Sequence, residues 1–468
     1  MATSTSPVIV MAPESSICNL PTEVLELVLK ETGGKEELKK NCFVSQRFRD
    51  IAQGLLFKKV TVRYNDVVPI TKLFVLRKDL AKSLQYLTVV FNQTGPPALL
   101  VENFRFAREM RVPEQLEGTF MHAASKILSG KVDAALKMFW LTELGKNQPD
   151  AHLALFLTIL RAVKTADIQI NDIQDHRMSF LELALNTVAK TYATTPAGEK
   201  PRYLMGMLEK LTIMHASLEV PCSSLGALFT APCLQNIDID GYTSPNMSLD
   251  ILPKRTKITN IELNTFHLEA SFLSALVRAS PRLTNFIVSC GMPEQINNWL
   301  EPVCDAISER ASTIEILALL TTIREGMHLI PIHLESLTNF RRLKVLDIPE
   351  ALLLGCPPQI EERSLFSKTL PSSLQRLRLS SCTSRDLEPL ASIADAGRDA
   401  FPDLQLICMD FGRVADQRDE SVQQLIKDLV EVAKSLENSI QAHLYWEIRT
   451  LYTPAADAAL EQFFEDNV

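Results

Sequence analysis

The nine cysteines of this chain never come close enough in sequence to hold a metal or close a short loop. No Cys-x-x-Cys occurs, and the nearest pair is Cys222 and Cys233. An odd, scattered set reads as buried thiols in a reducing compartment, not as a disulfide framework or a zinc site. His328 and His333 lack cysteine neighbours at ligand spacing. Also missing are the phosphate-cradling G-x-x-x-x-G-K-[ST] and G-x-G-x-x-G, the zinc-protease H-E-x-x-H and the hydrolase G-x-S-x-G. No cofactor is expected, and no enzymatic chemistry. Cys222, between Pro221 and Ser223, is the best candidate for an exposed thiol, but no partner base can be named for it.

Positive charge is scarce as well. Lys and Arg number 48 against 56 Asp and Glu, a net charge of −8. A protein that neutralises phosphates needs a basic surface, so nucleic acid is not an expected partner. The cluster Lys254-Arg255-x-Lys257 is explained by a solvated loop. Long apolar runs are lacking too. Leu153–Val163 is too short for a bilayer and carries Arg161, and the N-terminus has no basic region before its short apolar run, Val8–Ala12. No membrane partner is expected, and the compartment is cytoplasmic and/or nuclear.

What is present is a globular composition, 46% apolar and 22% charged. The length suggests about three domains, unless the chain is an elongated repeat array. Residues 1–16 are rich in Ser, Thr and Pro and are expected to be a disordered tail. Residues 17–60 then predict three helices. Pro21 suits a first helical turn, Val24, Leu25, Val28 and Leu29 repeat at helical spacing, and Gly33-Gly34 ends the run. A short second helix carries Leu38 and Cys42. Ser45 is an N-cap for a third, with Phe48, Ile51, Ala52, Leu55 and Leu56 on one face. Some forty residues seldom bury enough surface to be stable alone, so this trio needs a partner.

The pattern Leu20-Pro21-x-Glu23, Leu38-x-x-x-Cys42-x-Val44-Ser45-x-x-Phe48-Arg49-x-Ile51-Ala52, Leu55-Leu56-Phe57 resembles an F-box, of the fungal type in particular. The resemblance implies binding to the Skp-type adaptor and, through it, to a cullin ubiquitin ligase. By position that role would fall on Leu20, Pro21, Val24, Leu25, Val28, Leu29, Leu38, Cys42, Val44 and Phe48. Phe48 stands where the family often has Trp. The plain alternative is a helical cap on whatever follows.

Beyond the trio, Val60-Thr61-Val62-Arg63-Tyr64 alternates like a half-buried strand, and a unit of the form Leu-x-x-Leu-x-Leu recurs. Instances begin at Leu84, Leu208, Leu234, Ile258, Leu283, Ile314, Leu343, Leu374 and Leu404, with Val163 as a degenerate one. Single matches mean little in so apolar a chain; the even spacing from Leu208, 24 to 31 residues per step, is the evidence. Helical stretches separate the strands, as around Phe272–Val277 and Val303–Ile307. The fold class expected is α/β: the trio, then an irregular solenoid of parallel strands with outer helices. The segmentation expected is 61–200 for irregular first repeats with helical insertions, 201–450 for the regular array and 451–468 for a capping helix or tail. Ser421–Leu436 predicts a helix and Ala442–Ile448 a last strand. The array resembles a degenerate leucine-rich-repeat domain, with Cys290 or Cys382 standing loosely where that family bonds the turn backbone.

The resemblances together imply a non-catalytic substrate receptor, presenting a protein of unknown identity for ubiquitin transfer. An interaction scaffold with no part in ubiquitination is the alternative. Strand positions between the apolar ones should face the partner: Asp238, Asp240, Glu262, Asn264, Leu320 and Arg378. With Arg378 the main cation, a partner with a basic or mixed segment is expected.

Overall fold

The computed structural model describes residues 20–32, 34–92, 116–129, 132–172, 183–188, 205–215, 228–229, 231–241, 255–265, 270–290, 296–321, 337–354, 366–382, 387–414 and 420–450. Three helices open it: α1 (Thr22–Thr32), α2 (Lys35–Asn41) and α3 (Gln46–Leu56). Twelve strands follow: β1 (Lys59–Arg63), β2 (Tyr86–Asn92), β3 (Thr165–Asp172), β4 (Lys210–His215), β5 (Asn236–Gly241) and β6 (Asn260–Thr265) form the first half. The second half is β7 (Asn285–Cys290), β8 (Ile316–Thr321), β9 (Val345–Pro349), β10 (Arg376–Ser380), β11 (Leu406–Val414) and β12 (His443–Thr450). They make one sheet in strict chain order, every pair parallel. Each strand therefore meets only its sequence neighbours, which is the topology of a solenoid.

The reason lies in two apolar positions per strand. Val60, Leu87, Ala166, Leu211, Ile237 and Ile261 stand opposite one another across successive strands, and Phe286, Leu317, Leu346, Leu377, Ile407 and Leu444 continue the row. All but Leu444 are buried. A parallel row runs two residues on, through Val62, Val89, Ile168, Ile213, Ile239, Leu263, Val288 and Leu319. Side chains two apart share a face, so both rows point into one continuous core. No single strand could bury its face alone; roughly 2 kcal/mol per enclosed aliphatic side chain comes only with stacking.

Ahead of each strand a shared carbonyl joins neighbouring turns. Lys58 O accepts from Gln85 N at 2.9 Å and Tyr86 N at 3.0 Å. The same pair of bonds recurs at Gln85, Lys164, Glu209, Gln235, Thr259, Thr284, Glu315, Lys344 and Gln375. The first apolar residue of each unit, such as Leu234, Ile258 or Leu283, is buried just before this point. Helices cover the other side of the core. The Ala270–Ala279 helix buries Phe272, Leu273, Leu276 and Val277, and the Ile296–Ser308 helix buries Val303 and Ile307. Cys382 is buried and its Sγ lies 3.3 Å from Leu379 O.

The first repeats carry extra helices: α4 (Val67–Leu76), α5 (Lys78–Ser83), α6 (Glu117–Leu128), α7 (Ala134–Gly145) and α8 (Pro149–Ile159). The expected segment Leu153–Val163 begins earlier, because Pro149 fits the first helical turn, and it ends before Val163, which opens the β3 unit. From Ala151 to Thr158 every residue of α8 is buried. His152 within it lies parallel to Phe120, ring centroids 5.5 Å apart. The expected last helix and strand are present as Glu420–Ile440 and β12. Residues 1–16, Cys222, His328, His333 and 451–468 lie outside the described residues.

Candidate functional site

Two surfaces carry the expected site residues: the outside of α1–α3, and the open face of the strand ladder. The trio is built from its own small core. Ser45 caps α3 by accepting from Phe48 N at 3.2 Å, as its position predicts. Leu25, Leu29, Leu38, Cys42, Phe48 and Ala52 close on one another, with Leu20, Ile51, Leu55 and Leu56 packed around them. Burial raises the Cys42 thiol above its ordinary value, and the nearby Arg49 charge only partly offsets this.

This corrects the expected contact set. Leu25, Leu29, Leu38, Cys42 and Phe48 are interior residues, so they shape the unit and cannot themselves touch a partner in this arrangement. Leu20 and Val28 are half-buried and Pro21 is exposed. The outward apolar side chains are Val24, 39% exposed, Leu27 at 58%, Phe43 at 77% and Val44 at 59%. Arg47 Nη2 donates to Leu20 O at 2.6 Å and Thr22 Oγ1 at 3.2 Å, which ties the start of α3 to the entry of α1. Leu27 and Phe43 were not expected; Leu27 lies off the Leu25/Leu29 face, and Phe43 sits in a turn.

α3 fastens the trio to the solenoid. Leu56 packs against both cores, and Arg77 Nη2 donates to the buried Gln53 Oε1 at 3.0 Å. Arg77 is itself held by Asp79, whose carboxyl this bond keeps below the usual range.

On the ladder, the register puts Asp238 beside Glu262 and Asp240 beside Asn264. Leu320 stands opposite Ser289, and Arg378 opposite Asp347. All six expected residues thus share the open face, in two neighbouring rows. Asp240, Glu262, Asn264 and Arg378 are exposed, whereas Asp238 and Leu320 are half-buried. Partial burial raises the Asp238 carboxyl, Lys210 opposes the shift, and Asp240 and Asp167 reinforce it. Asn264 Nδ2 donates to Asp240 Oδ1 at 2.8 Å, and Arg378 Nη1 lies 3.7 Å from Asp347 Oδ2. Arg378 is not the main cation by itself. Exposed Lys59, Lys210 and Arg376 stand one row away on the same face, two residues before the expected positions.

No protein-family model matches the chain, and no curated protein matches it. A crystal structure of a Bacteroides fragilis protein is similar over 63% of this chain and 68% of its own, at 13% identity and a TM-score of 0.31. Likeness at that level says nothing about activity. Among the described residues, no helix is long and apolar enough to cross a membrane.

Proposed function

We propose that this chain is the substrate-recognition subunit of a cullin-type (SCF) ubiquitin ligase. α1–α3 act as an F-box that docks on the Skp-type adaptor, and the ladder acts as a leucine-rich-repeat surface for a protein substrate. The chain performs no chemistry in this reading; transfer belongs to other subunits. One observation carries the proposal. A forty-residue helical unit with its own core leaves Val24, Leu27, Phe43 and Val44 in water, while Leu56 and Gln53 of α3 fasten it to the array. A mere cap would turn its apolar residues toward what it caps; this unit turns several away, which supports a role for them in binding. The F-box-like sequence pattern around Leu20-Pro21 and Phe48 supports a Skp-type adaptor as the partner.

Co-expression with a fungal Skp-type adaptor tests it. The full chain should co-purify with the adaptor, and Val24→Asp/Val44→Asp should lose it while leaving thermal unfolding unchanged. Retention of the adaptor by that variant would overturn the assignment. Ubiquitination of captured partners that persists equally without residues 17–60 would favour the scaffold alternative.

A further inference from the structure

Among the helices of the first repeats, α4, α5, α6 and the end of α8 line a cleft of about 360 Å³. That volume lies within the range of ligand-binding clefts. Its floor is apolar: Phe74, Val75 and Ala81 are buried, and Ile127 and Ile159 are half-buried. Its rim is cationic. Lys78 and Lys82 come from one face of α5, Lys126 from α6 and Arg161 from the turn after α8. All four are exposed, none is ion-paired among the described residues, and no described lining residue is acidic.

In a chain of net charge −8, four unpaired cations around one apolar opening form a local reversal of sign. The geometry points to this cleft as a second protein-docking site, for an acidic peptide segment that inserts one large apolar side chain. The cations come from three separate segments, α5, α6 and the turn after α8, which suits carboxylates flanking an anchor on both sides. A single headgroup would call for cations converging on one point. An anchor side chain supplies the buried contact, and the flanking charges supply orientation and on-rate. The site does not depend on the ligase reading.

The test uses the full chain and a fluorescein-labelled peptide, Asp-Glu-Leu-Phe-Glu-Asp, in fluorescence anisotropy. The peptide should bind, more weakly as salt is added. Lys82→Glu/Lys126→Glu should weaken it about ten-fold or more, and so should Lys78→Glu/Arg161→Glu on independent positions. Lys427→Glu/Lys434→Glu, with the same change in net charge on the Glu420–Ile440 helix, should leave binding unchanged. A peptide with Gly-Gly in place of Leu-Phe should bind at least ten-fold less tightly. Four results would each overturn the proposal: no binding of the acidic peptide, equal binding of the Gly-Gly peptide, equal weakening by the control pair, or capture by phosphatidylserine vesicles without peptide binding.

Discussion

Arg47 Nη2 donates to the main-chain oxygen of Leu20 at 2.6 Å, tying the third helix of the N-terminal trio to the entry of the first. The same guanidinium reaches Thr22 Oγ1 at 3.2 Å, so it donates to two oxygens at the entry of that helix. Arg47→Ala is expected to cost roughly 1–2 kcal/mol, as loss of a charge-assisted bond does. The loss should be local. Amide exchange in Thr22–Thr32 should quicken while that of β5–β9 stays as in the parent; uniform quickening would show that the trio and the array unfold together.

The apolar row across the sheet gives a second expectation. Phe286 is fully buried between Ile261 and Leu317. Phe286→Ala should cost about 3–5 kcal/mol in chemical denaturation, because the stacked neighbours cannot close the cavity. Glu262→Ala, one residue from Ile261 but on the open face, should stay within about 0.5 kcal/mol. Similar costs for the two would contradict the inward and outward assignment of the rows.

His152 makes stability depend on pH. Burial, opposed by the Leu144 carbonyl and aided by the Lys72 charge, pushes the imidazole down to about 4. Its Nε2 meets Leu144 O at 3.2 Å, and Nδ1 has no partner among the described residues. The folded state therefore holds the neutral ring, and the unfolded state binds the proton first. Stability from this site is complete above pH of about 6.5 and falls as pH drops from there toward about 4. The total is on the order of 3 kcal/mol. His152→Phe should flatten that limb of the stability profile, and the His152 resonance should not titrate above pH of about 5. A midpoint near 6.5 would contradict the buried placement.

The open face gives a prediction of opposite sign. Burial raises the Asp347 carboxyl despite Arg378 and Arg376, with Asp410 adding to the shift. A carboxylate raised in the folded state costs stability once ionised, so that cost grows as pH climbs through the ordinary Asp range and is absent below it. Asp347→Asn should thus raise the unfolding temperature at neutral pH and leave it little changed near pH 3. A lower temperature at neutral pH would show that the Arg378 pair outweighs the burial.

Much of this architecture could be read before any coordinates. The strand positions followed from a triplet of apolar residues at steady intervals, and even the degenerate Val163 unit and the strand at Ala442–Ile448 took their places in the sheet. The spacing works because every unit must present the same two side chains to its neighbour. The trio was legible as helices but not as surfaces. Helical periodicity finds the apolar stripe of α1 and cannot tell whether Leu25 or Val24 looks inward; only the packing against Phe48 and Cys42 decides. Leu27 and Phe43, which break the stripe, carried the signal for an outward face. Arg376 was not legible because it stands before the apolar pair Leu377 and Leu379, and only the register places that position on the open face.

The most direct measurement is calorimetric titration of the purified full chain with a purified Skp-type adaptor at several temperatures. One-to-one binding with a negative heat-capacity change is predicted, since apolar surface at Val24, Leu27, Phe43 and Val44 would leave water. Val24→Asp/Val44→Asp should abolish the heat signal. Undiminished binding by that variant, or no binding by the parent chain, would contradict the account.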